Sequence, residues 1–521
     1  MLRKAGIPRR EFTRQLSALP LAALLPQGLW AAPAKSYKAS VLVDAEIGTV
    51  RPEFHSHFAE HLGSCVYGGL WVGKDSPIPN IEGYRHDAIT HLKDLGIPVL
   101  RWPGGCFADD YHWRDGIGPV NKRPKRVNIH WGGYVENNSF GIHEFIGLCR
   151  MIGAEPYVAG NVGSGNPEEL RDWVEYCNQP TGSTLAEERA ENGSPEPFNI
   201  RYWGVGNENW GCGGPMTPEH YGELYRIFAN YMRTFGGTKP FLVACGPNGN
   251  DMHWSRGLLN TLDARRLPDG WSTHFYENGT LPSTQFTEDA MNTQFRIFPR
   301  VEETIVAQRA LLDSYDPQRK CGVILDEWGV WDRIPREDEQ RFGRLWQQST
   351  MRSAVAAGLG LNIFNRQADK LYMANIAQLV NVLQSVLLTD GPEGKHCVRT
   401  SSYYAFQLFK PHRSKTAVRV ETEATDPLGL SMSASKSANE LVITFVNPSL
   451  ASDLNVDCTL RSFPAKSATA TILHHADLNA FNSFDNPEVI VPKPHEVSVE
   501  ASRLRLTVPA LSLVSATVRQ S

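Results

Sequence analysis

Short apolar strands alternate with helical segments from about residue 54 to residue 395. Between the strands, apolar residues recur at the i, i+3, i+4 and i+7 spacing of a helix, as in 145–152 and 221–228. The predicted strands are 54–60, 98–102, 155–161, 201–207, 241–246, 271–276, 322–327 and 360–365. Eight strand–helix units predict a (β/α)8 barrel, with a doubly wound open sheet as the main alternative. We disfavour the open sheet because no GxGxxG turn follows a predicted strand.

Polar side chains concentrate at the C-terminal ends of these strands. They are His57, Glu60, Arg101, Asn161, Asn207, Glu208, His274, Tyr276, Asp326, Glu327 and Asn365. In a (β/α)8 barrel the C-termini of the strands converge on the active site. The shared position of these residues therefore favours the barrel and predicts where its site lies.

The pattern changes after about residue 396. Strand-like stretches at 441–446, 454–460, 468–473 and 504–508 are separated by Pro, Asn, Asp and Ser. They predict an all-β domain, a sandwich, over 396–521. We expect a strand within 35–53 to join this domain, which leaves 54–395 for the barrel.

The first 34 residues resemble an export signal. A basic start precedes an apolar run at 16–30, and small residues at 31–34 follow it. The sequence Arg9-Arg10-Glu11-Phe12 also resembles the twin-arginine signal of bacteria. We therefore expect a signal peptide over 1–34 and a periplasmic or secreted protein, with an amphipathic N-terminal helix as the alternative.

The charge of the chain excludes several partner classes. Its net charge is −4 at pH 7, so no strong positive field favours nucleic acid or an anionic membrane. After residue 34 no apolar run is long enough to span a bilayer. We expect no nucleic-acid partner and no membrane anchor.

Cysteine and histidine do not form a metal-site pattern. The nine cysteines include no CxxC pair, which disfavours a zinc ribbon and a disulfide framework, although one disulfide formed after export stays open. His55, His57 and His61 cluster, but no Asp or Cys completes a zinc set. We expect no metal and a hydrogen-bonding role for these rings. Cys212 is interpreted as an ordinary loop cysteine.

Two glutamates occupy positions suited to glycosidic bond hydrolysis. That reaction needs an acid for the leaving oxygen and a second carboxylate at the anomeric carbon. Glu208 follows the fourth predicted strand and Glu327 ends the seventh. These strands lie across the barrel mouth from each other, so the two carboxylates are candidates for the catalytic pair.

Several motifs resemble glycoside hydrolase family 51, the α-L-arabinofuranosidases, within a large clan of retaining (β/α)8 glycosidases. They are FAEHLG at 58–63, VYGG at 66–69, RWPGG at 101–105, VEYCN at 174–178, GNE at 206–208, DEW at 326–328 and AQLVNV at 377–382. The resemblance runs from about residue 54 into the C-terminal β domain. It implies an exo-acting retaining enzyme without a cofactor that releases terminal α-L-arabinofuranosyl groups from polysaccharides or oligosaccharides. It also implies a homo-oligomer, a hexamer in the family.

The resemblance assigns roles by position. Glu208 matches the general acid/base and Glu327 the nucleophile, and Asn207 would bind the sugar 2-hydroxyl. Arg101 matches a residue that holds the nucleophile. The remaining expected substrate-binding residues are Glu60, Cys106, His274, Tyr276, Gln378, Trp131 and Trp331.

One position departs from the family pattern. Cys106 stands where some members have asparagine. Because a thiol is a weaker hydrogen-bond partner than an amide, we expect a weaker contact there. We also expect Cys106→Asn to preserve the fold and to strengthen substrate binding.

Two other functions remain open at this point. An endo-acting glucanase or xylanase of the same clan would share the Asn-Glu motif and the distant glutamate. A catalytically silent carbohydrate-binding protein could use the same scaffold. The presence of both carboxylates disfavours the silent protein, and the set of Glu60, Arg101 and Gln378 disfavours the endo-acting enzyme.

Overall fold

The predicted (β/α)8 barrel is present. The computed structural model describes residues 35–262, 267–391, 394–423 and 426–520. Eight parallel strands close into a barrel. In chain order they are Ser56–Phe58, Val99–Trp102, Glu155–Gly160, Tyr202–Val205, Phe241–Ala244, Gly270–Asn278, Gly322–Trp331 and Leu371–Ala377. The expected signal peptide lies outside the described residues.

The eighth predicted strand is wrong. Residues 360–365 belong to the helix Met351–Arg366, and the strand follows it at Leu371–Ala377. Nearly every residue of this helix is buried, so none of its faces shows the polar stripe of a surface helix. A short apolar run in such a helix cannot be told from a buried strand by periodicity. Asn365 consequently lies away from the barrel mouth, where its Nδ2 donates to Ser433 Oγ at 3.0 Å.

Helices cover the outside of the barrel, and the predicted 145–152 and 221–228 stretches both lie in helices. The helices between the strands are His86–Leu95, Ile142–Ile152, Pro167–Asn178, Thr184–Glu191, Pro218–Tyr231, Met252–Thr261, Glu288–Ile297, Pro299–Tyr315, Arg336–Phe342 and Met351–Arg366. The helix Ser401–Phe409 follows the last strand. Gly153 ends Ile142–Ile152 with a φ of 75°, a left-handed conformation that glycine adopts readily. No helix in the described ranges is long and apolar enough to cross a membrane.

The C-terminal domain is a β sandwich built on ten hydrogen-bonded strands. In sheet order they are Lys493–His495, Ser467–His474, Ser512–Arg519, Glu440–Asn447, Ser431–Lys436, Thr416–Thr422, Lys35–Thr49, Leu454–Arg461, Arg503–Val508 and Ser498–Glu500. The N-terminal strand Lys35–Thr49 pairs antiparallel with Thr416–Thr422 and parallel with Leu454–Arg461. Its alternating residues Val41 and Val43 are buried in the sandwich core. The first described strand therefore completes a sheet formed by the end of the chain.

The helix Met351–Arg366 packs between barrel and sandwich. Asn362 Oδ1 accepts hydrogen bonds from Ser433 Oγ at 2.7 Å and Thr444 Oγ1 at 2.6 Å. A Cβ at Gly358 would lie 2.6 Å from Leu513 Cδ2, so glycine allows the close approach of helix and sheet. Apolar burial and this polar cluster together fix the sandwich to the barrel.

Candidate active site

The mouth of the barrel contains a cavity of about 260 Å³. Its lining includes most of the residues expected from the sequence. These are Glu60, Cys106, Trp131, Glu208, Tyr276, Glu327, Trp331 and Gln378. Arg101, Asn207 and His274 contact this set from beneath. Strands that are far apart in the sequence thus bring the expected side chains to one place.

Glu327 is a buried carboxylate held by hydrogen bonds on both oxygens. Arg101 Nη1 donates to Oε1 at 2.8 Å, and the Tyr276 hydroxyl donates to Oε2 at 2.6 Å. Burial opposes ionisation, but His274 and Arg101 outweigh it and lower the pKa of Glu327. Glu327 is therefore ionised and fixed in orientation, as an attacking group must be.

Arg101 links Glu327 to the loop that follows the fourth strand. It is 1% exposed, and its Nη2 donates to Asn207 Oδ1 at 2.5 Å. Burial opposes its charge, yet Asp326 and Glu327 raise its pKa above the usual value. Asn207 Nδ2 is buried and has no partner among the described residues, which leaves a donor for a bound molecule.

Glu208 lies on a loop with a left-handed backbone. Its φ is 44°, a conformation that is uncommon for residues other than glycine. Its Oε1 lies 2.8 Å from His274 Nδ1, and the same nitrogen lies 3.6 Å from Glu327 Oε2. Burial disfavours a charged imidazole, but Glu327 and Glu208 outweigh it and raise the pKa of His274. His274 therefore donates a hydrogen bond to Glu208 and interacts electrostatically with Glu327.

Glu60 is a third carboxylate in the lining of the cavity. Its Oε1 accepts from Trp131 Nε1 at 2.8 Å and from the Phe107 amide at 3.0 Å. Gln378 Nε2 donates to Oε2 at 3.1 Å. Burial, with the nearby Glu327 charge, raises the pKa of Glu60 to about 7. This wall offers polar atoms suited to sugar hydroxyl groups.

Aromatic rings form the remaining walls of the cavity. Trp131 and Trp331 line it as expected, and Trp331 packs edge-on against Tyr276 with ring centroids 5.3 Å apart. Trp210 also lines it, two residues after Glu208. Rings in these positions can pack against the C–H face of a sugar.

The expectation of a free thiol at Cys106 is wrong. Cys106 forms a disulfide with Cys212 across a sequence separation of 106 residues. The interpretation of Cys212 as an ordinary loop cysteine is therefore also wrong. Cys212 Sγ lies 3.4 Å from Glu208 Oε2, but a disulfide sulfur carries no proton to donate. The bond ties the loop after the second strand to the loop after the fourth, a tertiary contact that cysteine spacing alone does not predict.

The histidine cluster is divided by the fold. His55 and His57 pack against Phe406, with ring centroids 5.9 and 4.9 Å away, and their ring nitrogens have no hydrogen-bond partner among the described residues. The hydrogen-bonding role expected for these two rings is wrong. His61 differs: its Nε2 accepts from Trp102 Nε1, so its Nδ1 donates to Glu136 Oε2 at 2.9 Å.

Two side-chain groups in the described ranges each bring three potential metal-ligand atoms within 4.8 Å of one another. They are Cys106, Glu208 and Cys212, and Glu208, His274 and Glu327. The first contains a disulfide, which lacks the thiolates that bind metals. In the second, His274 already donates to Glu208. The disulfide accounts for the first group, and the hydrogen bond between His274 and Glu208 accounts for the closest contact in the second.

Sequence reasoning placed Asp326 at the end of the seventh strand without giving it a role, and it missed Asp109. Asp326 lies beneath the site, where Tyr157 and Asn375 donate to its carboxylate at 2.8 and 2.7 Å. Asp109 accepts the backbone amide of Asn207 at 2.8 Å. Asp326 precedes Glu327 in the DEW motif, and Asp109 follows Cys106 by three residues. Asp326 lies within the strand Gly322–Trp331, and for Asp109 the available signal was its position soon after the second strand. Asn161 was expected at the barrel mouth with these residues. Its Oδ1 instead accepts the backbone amide of Ser164, in the loop that follows its own strand, at 2.9 Å.

Two family models match the chain. The "Alpha-L-arabinofuranosidase 1 domain" covers residues 91–292, and the "Alpha-L-arabinofuranosidase C-terminal domain" covers residues 326–512. An intracellular exo-α-L-arabinofuranosidase from Bacteroides ovatus is 43% identical over 92% of this chain and 95% of that protein. α-L-Arabinofuranosidase C from Emericella nidulans is 33% identical over 71% of this chain and 73% of that protein.

Solved structures agree with the sequence relatives. The GH51 arabinofuranosidase from Xanthomonas axonopodis pv. citri has a TM-score of 0.89 at 36% identity, covering 93% of this chain and all of that one. An α-L-arabinofuranosidase from Thermotoga maritima, solved with arabinose, has a TM-score of 0.82 at 30% identity with the same coverage. The barrel and sandwich architecture is thus shared with enzymes of this family.

The expected export of the protein is contradicted. The Bacteroides relative, similar over nearly the whole chain, is named an intracellular enzyme. A basic and apolar N-terminus is a local pattern, and it does not by itself establish that a chain is exported. The prediction of a periplasmic or secreted protein is therefore wrong.

The relatives also decide between the functions left open by the sequence. They support an exo-acting arabinofuranosidase over an endo-acting glucanase or a silent binding protein, and so a carbohydrate is the substrate. The extent of the match covers both the barrel and the sandwich. The chain belongs to the α-L-arabinofuranosidases of glycoside hydrolase family 51.

Proposed function

We propose that the enzyme acts by retaining double displacement, with Glu327 as nucleophile and Glu208 as general acid/base. The spacing of the two carboxylates carries this proposal. A Glu208 oxygen and a Glu327 oxygen lie within 4.8 Å of each other. Carboxyl groups about 5–5.5 Å apart are typical of retaining glycosidases, whereas inverting pairs are about 6.5–9.5 Å apart.

The first step forms a bond between Glu327 and the anomeric carbon. The glycosidic bond breaks, its electron pair goes to the leaving oxygen, and Glu208 supplies the proton. Arg101 and Tyr276 orient the Glu327 carboxylate for attack. Glu327 loses its negative charge when the new bond forms. The Tyr276 hydroxyl then remains close to Oε2 of Glu327.

The second step releases arabinose. A water molecule gives a proton to Glu208 and attacks the anomeric carbon, and the bond to Glu327 breaks. The 2.8 Å contact with His274 keeps Glu208 directed into the cavity in both steps.

The sugar occupies the cavity between Glu60 and the catalytic pair. A volume of about 260 Å³ is below the ~300–1,000 Å³ of pockets for drug-sized ligands, which favours one terminal sugar. Asn207 Nδ2 and Gln378 Oε1 are buried without partners in the described structure and are available to its hydroxyls. The intracellular naming of the Bacteroides relative favours short arabinose-containing oligosaccharides over intact arabinan or arabinoxylan.

A homo-oligomer, a hexamer by family resemblance, is part of this proposal. Light scattering on the purified protein measures the mass directly, with 58.0 kDa expected per chain. A mass of one chain across the working concentration range would contradict it.

Trapping the covalent intermediate tests the mechanism. An activated 2-fluoro-arabinofuranoside should label the enzyme, because fluorine slows the second step more than the activated first step. Peptide mass spectrometry should place the label on Glu327, and Glu327→Gln should not be labelled. Proton NMR of the first-formed product should show the configuration of the substrate. A label on another residue, or an inverted product, would overturn the assignment.

A further inference from the structure

We propose that Asp109 is a positioning residue of the reaction, holding the backbone of Asn207 and Glu208 in the conformation that aims both side chains into the cavity. The inference rests on the proposed role of Glu208. Asp109 lies in the short 3-10 turn Cys106–Asp110, directly after the second barrel strand. It does not line the cavity, so it acts through its neighbours.

The carboxylate of Asp109 joins three barrel loops. Oδ1 accepts the amides of Val162 and Gly163 at 2.8 and 2.7 Å, and Oδ2 accepts the amide of Asn207 at 2.8 Å. Asp109 is 4% exposed. It forms no ion pair with any Lys, Arg or His of the described ranges. Backbone amides and the side chain of Asn209 are therefore its direct partners, and the Asn207 amide belongs to the loop that carries Glu208.

The peptide that Asp109 holds lies between two left-handed residues. Gly206 has a φ of 85° and Glu208 a φ of 44°. A left-handed non-glycine residue persists only where surrounding contacts fix it. On the far side, the Asn209 amide donates to Cys245 Sγ at 3.3 Å, and the amides of Gly211 and Gly213 return to the Glu208 carbonyl. Asp109 supplies the constraint on the near side.

Glycines make room for this arrangement. A Cβ at Gly213 would lie 2.6 Å from Asp109 Oδ2 and 2.0 Å from the Asn207 carbonyl. A Cβ at Gly163 would lie 2.9 Å from Asp109 Cβ. Both loops approach the carboxylate more closely than a side chain would allow. The 106–110 turn also binds Cys212 covalently through Cys106, so it holds the 207–213 loop at two points.

The direction of the Asn207 peptide has two consequences for the reaction. Asn207 Oδ1 accepts from Arg101, which leaves Nδ2 free for the substrate. One residue later, Glu208 reaches His274 at 2.8 Å. Removing the Asp109 carboxylate should displace the proton donor while leaving Glu327 in place. The defect should therefore resemble a weakened Glu208.

Asp109→Asn tests this directly. The side-chain NH2 group of the asparagine would face backbone N–H donors, and two donors cannot form a hydrogen bond with each other. The loop should therefore shift. On an arabinofuranoside with a poor leaving group, kcat should fall by about 10²-fold, the scale expected for a displacement near 1 Å. On a dinitrophenyl arabinofuranoside the loss should be under about tenfold, because an acidic leaving group needs little proton donation. Azide should accelerate turnover of the variant and give an arabinosyl azide of retained configuration.

The controls separate positioning from stability. Asp316→Asn removes another buried carboxylate, one that accepts the Cys321 amide at 2.7 Å before the seventh strand. It should lower the melting temperature without changing the ratio of activities on the two substrates. If Asp109→Asn does not fold, judged by circular dichroism, Asp109→Ser keeps a hydroxyl acceptor and is measured in its place.

Each result has a defined meaning. Equal losses on both substrates, with no effect of azide, would show a purely structural role and overturn the inference. Glu208→Ala is measured in parallel. If Glu208→Ala lacks leaving-group dependence, the proposed role of Glu208 fails. If Glu208→Ala has that dependence and the Asp109 variant lacks it, only the positioning role fails.

Discussion

Arg101 and Glu327 form a buried ion pair, with Nη1 donating to Oε1 at 2.8 Å. Both side chains are at most 7% exposed, so neither charge is well solvated by water. The same guanidinium reaches Asn207 through Nη2. One planar group thus fixes the relative position of the seventh-strand carboxylate and the fourth-strand loop.

Arg101→Lys should lower kcat/KM although it keeps the charge. A single ammonium cannot reproduce two divergent hydrogen bonds to Glu327 and Asn207. Loss of one charged hydrogen bond costs about 1.5–3 kcal/mol, or roughly 10–200-fold in kcat/KM. Initial rates on an aryl arabinofuranoside measure it. Arg189→Lys, a buried arginine that donates to the carbonyls of Tyr176 and Gln179, should reduce stability without changing kcat/KM. A similar kinetic loss in both variants would contradict the prediction.

Glu60 should make the protein less stable as the pH rises. Burial raises its pKa from 4.5 to about 7. Between these values the folded state holds a proton that the unfolded state has released, so the free energy of unfolding falls as pH increases. Glu60→Gln should remove this contribution, which is at most about 1.4 kcal/mol per pH unit. Urea unfolding from pH 4.5 to 8 measures the slope.

The exposed Glu303 provides a control for that experiment. Glu303→Gln should leave the slope unchanged. The Glu60→Gln protein should keep part of the dependence of unfolding free energy on pH. The reason is Asp109, because burial raises the pKa of Asp109 to about 7 as well. An identical slope in wild type and Glu60→Gln would show that Glu60 titrates alike in both states.

Breaking the Cys106–Cys212 disulfide should reduce both stability and activity. A bond that closes a loop of this length contributes about 2–5 kcal/mol. The Cys106→Ser/Cys212→Ser double variant should therefore melt at a lower temperature, and its kcat/KM should fall because the 207–213 loop is held less firmly. Cys106→Asn should behave similarly, which reverses the gain in binding expected from the sequence.

Reduction gives an independent test of that bond. Dithiothreitol should lower the activity of the wild type toward that of the double variant, and it should not affect the double variant. Cys397→Ser alters the partly exposed free cysteine and should respond to reductant like the wild type. A wild-type enzyme insensitive to reductant, with thiol counting that confirms reduction, would contradict the prediction.

The sequence predicted seven barrel strands because their apolar runs end in polar residues. The eighth failed because residues 360–365 lie in a helix that is buried on all sides. Binary patterning separates a surface helix from a strand, but it cannot separate two fully buried elements. The alternation of apolar residues predicted a strand within 35–53, and the strand Lys35–Thr49 lies there.

The sequence could place residues in the cavity where they lie in or soon after a barrel strand, as with Glu327 and Glu208. The Cys106–Cys212 bond and the Asp109 contact were missed because each joins different loops. Asp109 binds backbone amides, and backbone partners leave no signal in residue types. Contacts of this kind depend on tertiary geometry and become visible only in the folded chain.

Substitution of the two glutamates that we propose as the catalytic pair should give opposite dependence on the leaving group. Glu208→Ala should still cleave a dinitrophenyl arabinofuranoside and accumulate the covalent intermediate, because an acidic leaving group needs no proton donor. Glu327→Ala lacks the atom that forms the bond, so it should lose on the order of 10⁴-fold or more on good and poor leaving groups alike. Stopped-flow release of the phenol measures the burst and the steady rate.

The azide products distinguish the two roles independently of rate. In Glu208→Ala, azide takes the place of water in the second displacement, so the arabinosyl azide should keep the substrate configuration. In Glu327→Ala, azide could act only by one direct displacement, and any product should be inverted. NMR assigns the configuration of each azide. An inverted azide from Glu208→Ala, or equal activity of the two variants on the activated substrate, would require the roles to be exchanged or abandoned, since a single displacement and a double displacement cannot give the same stereochemistry.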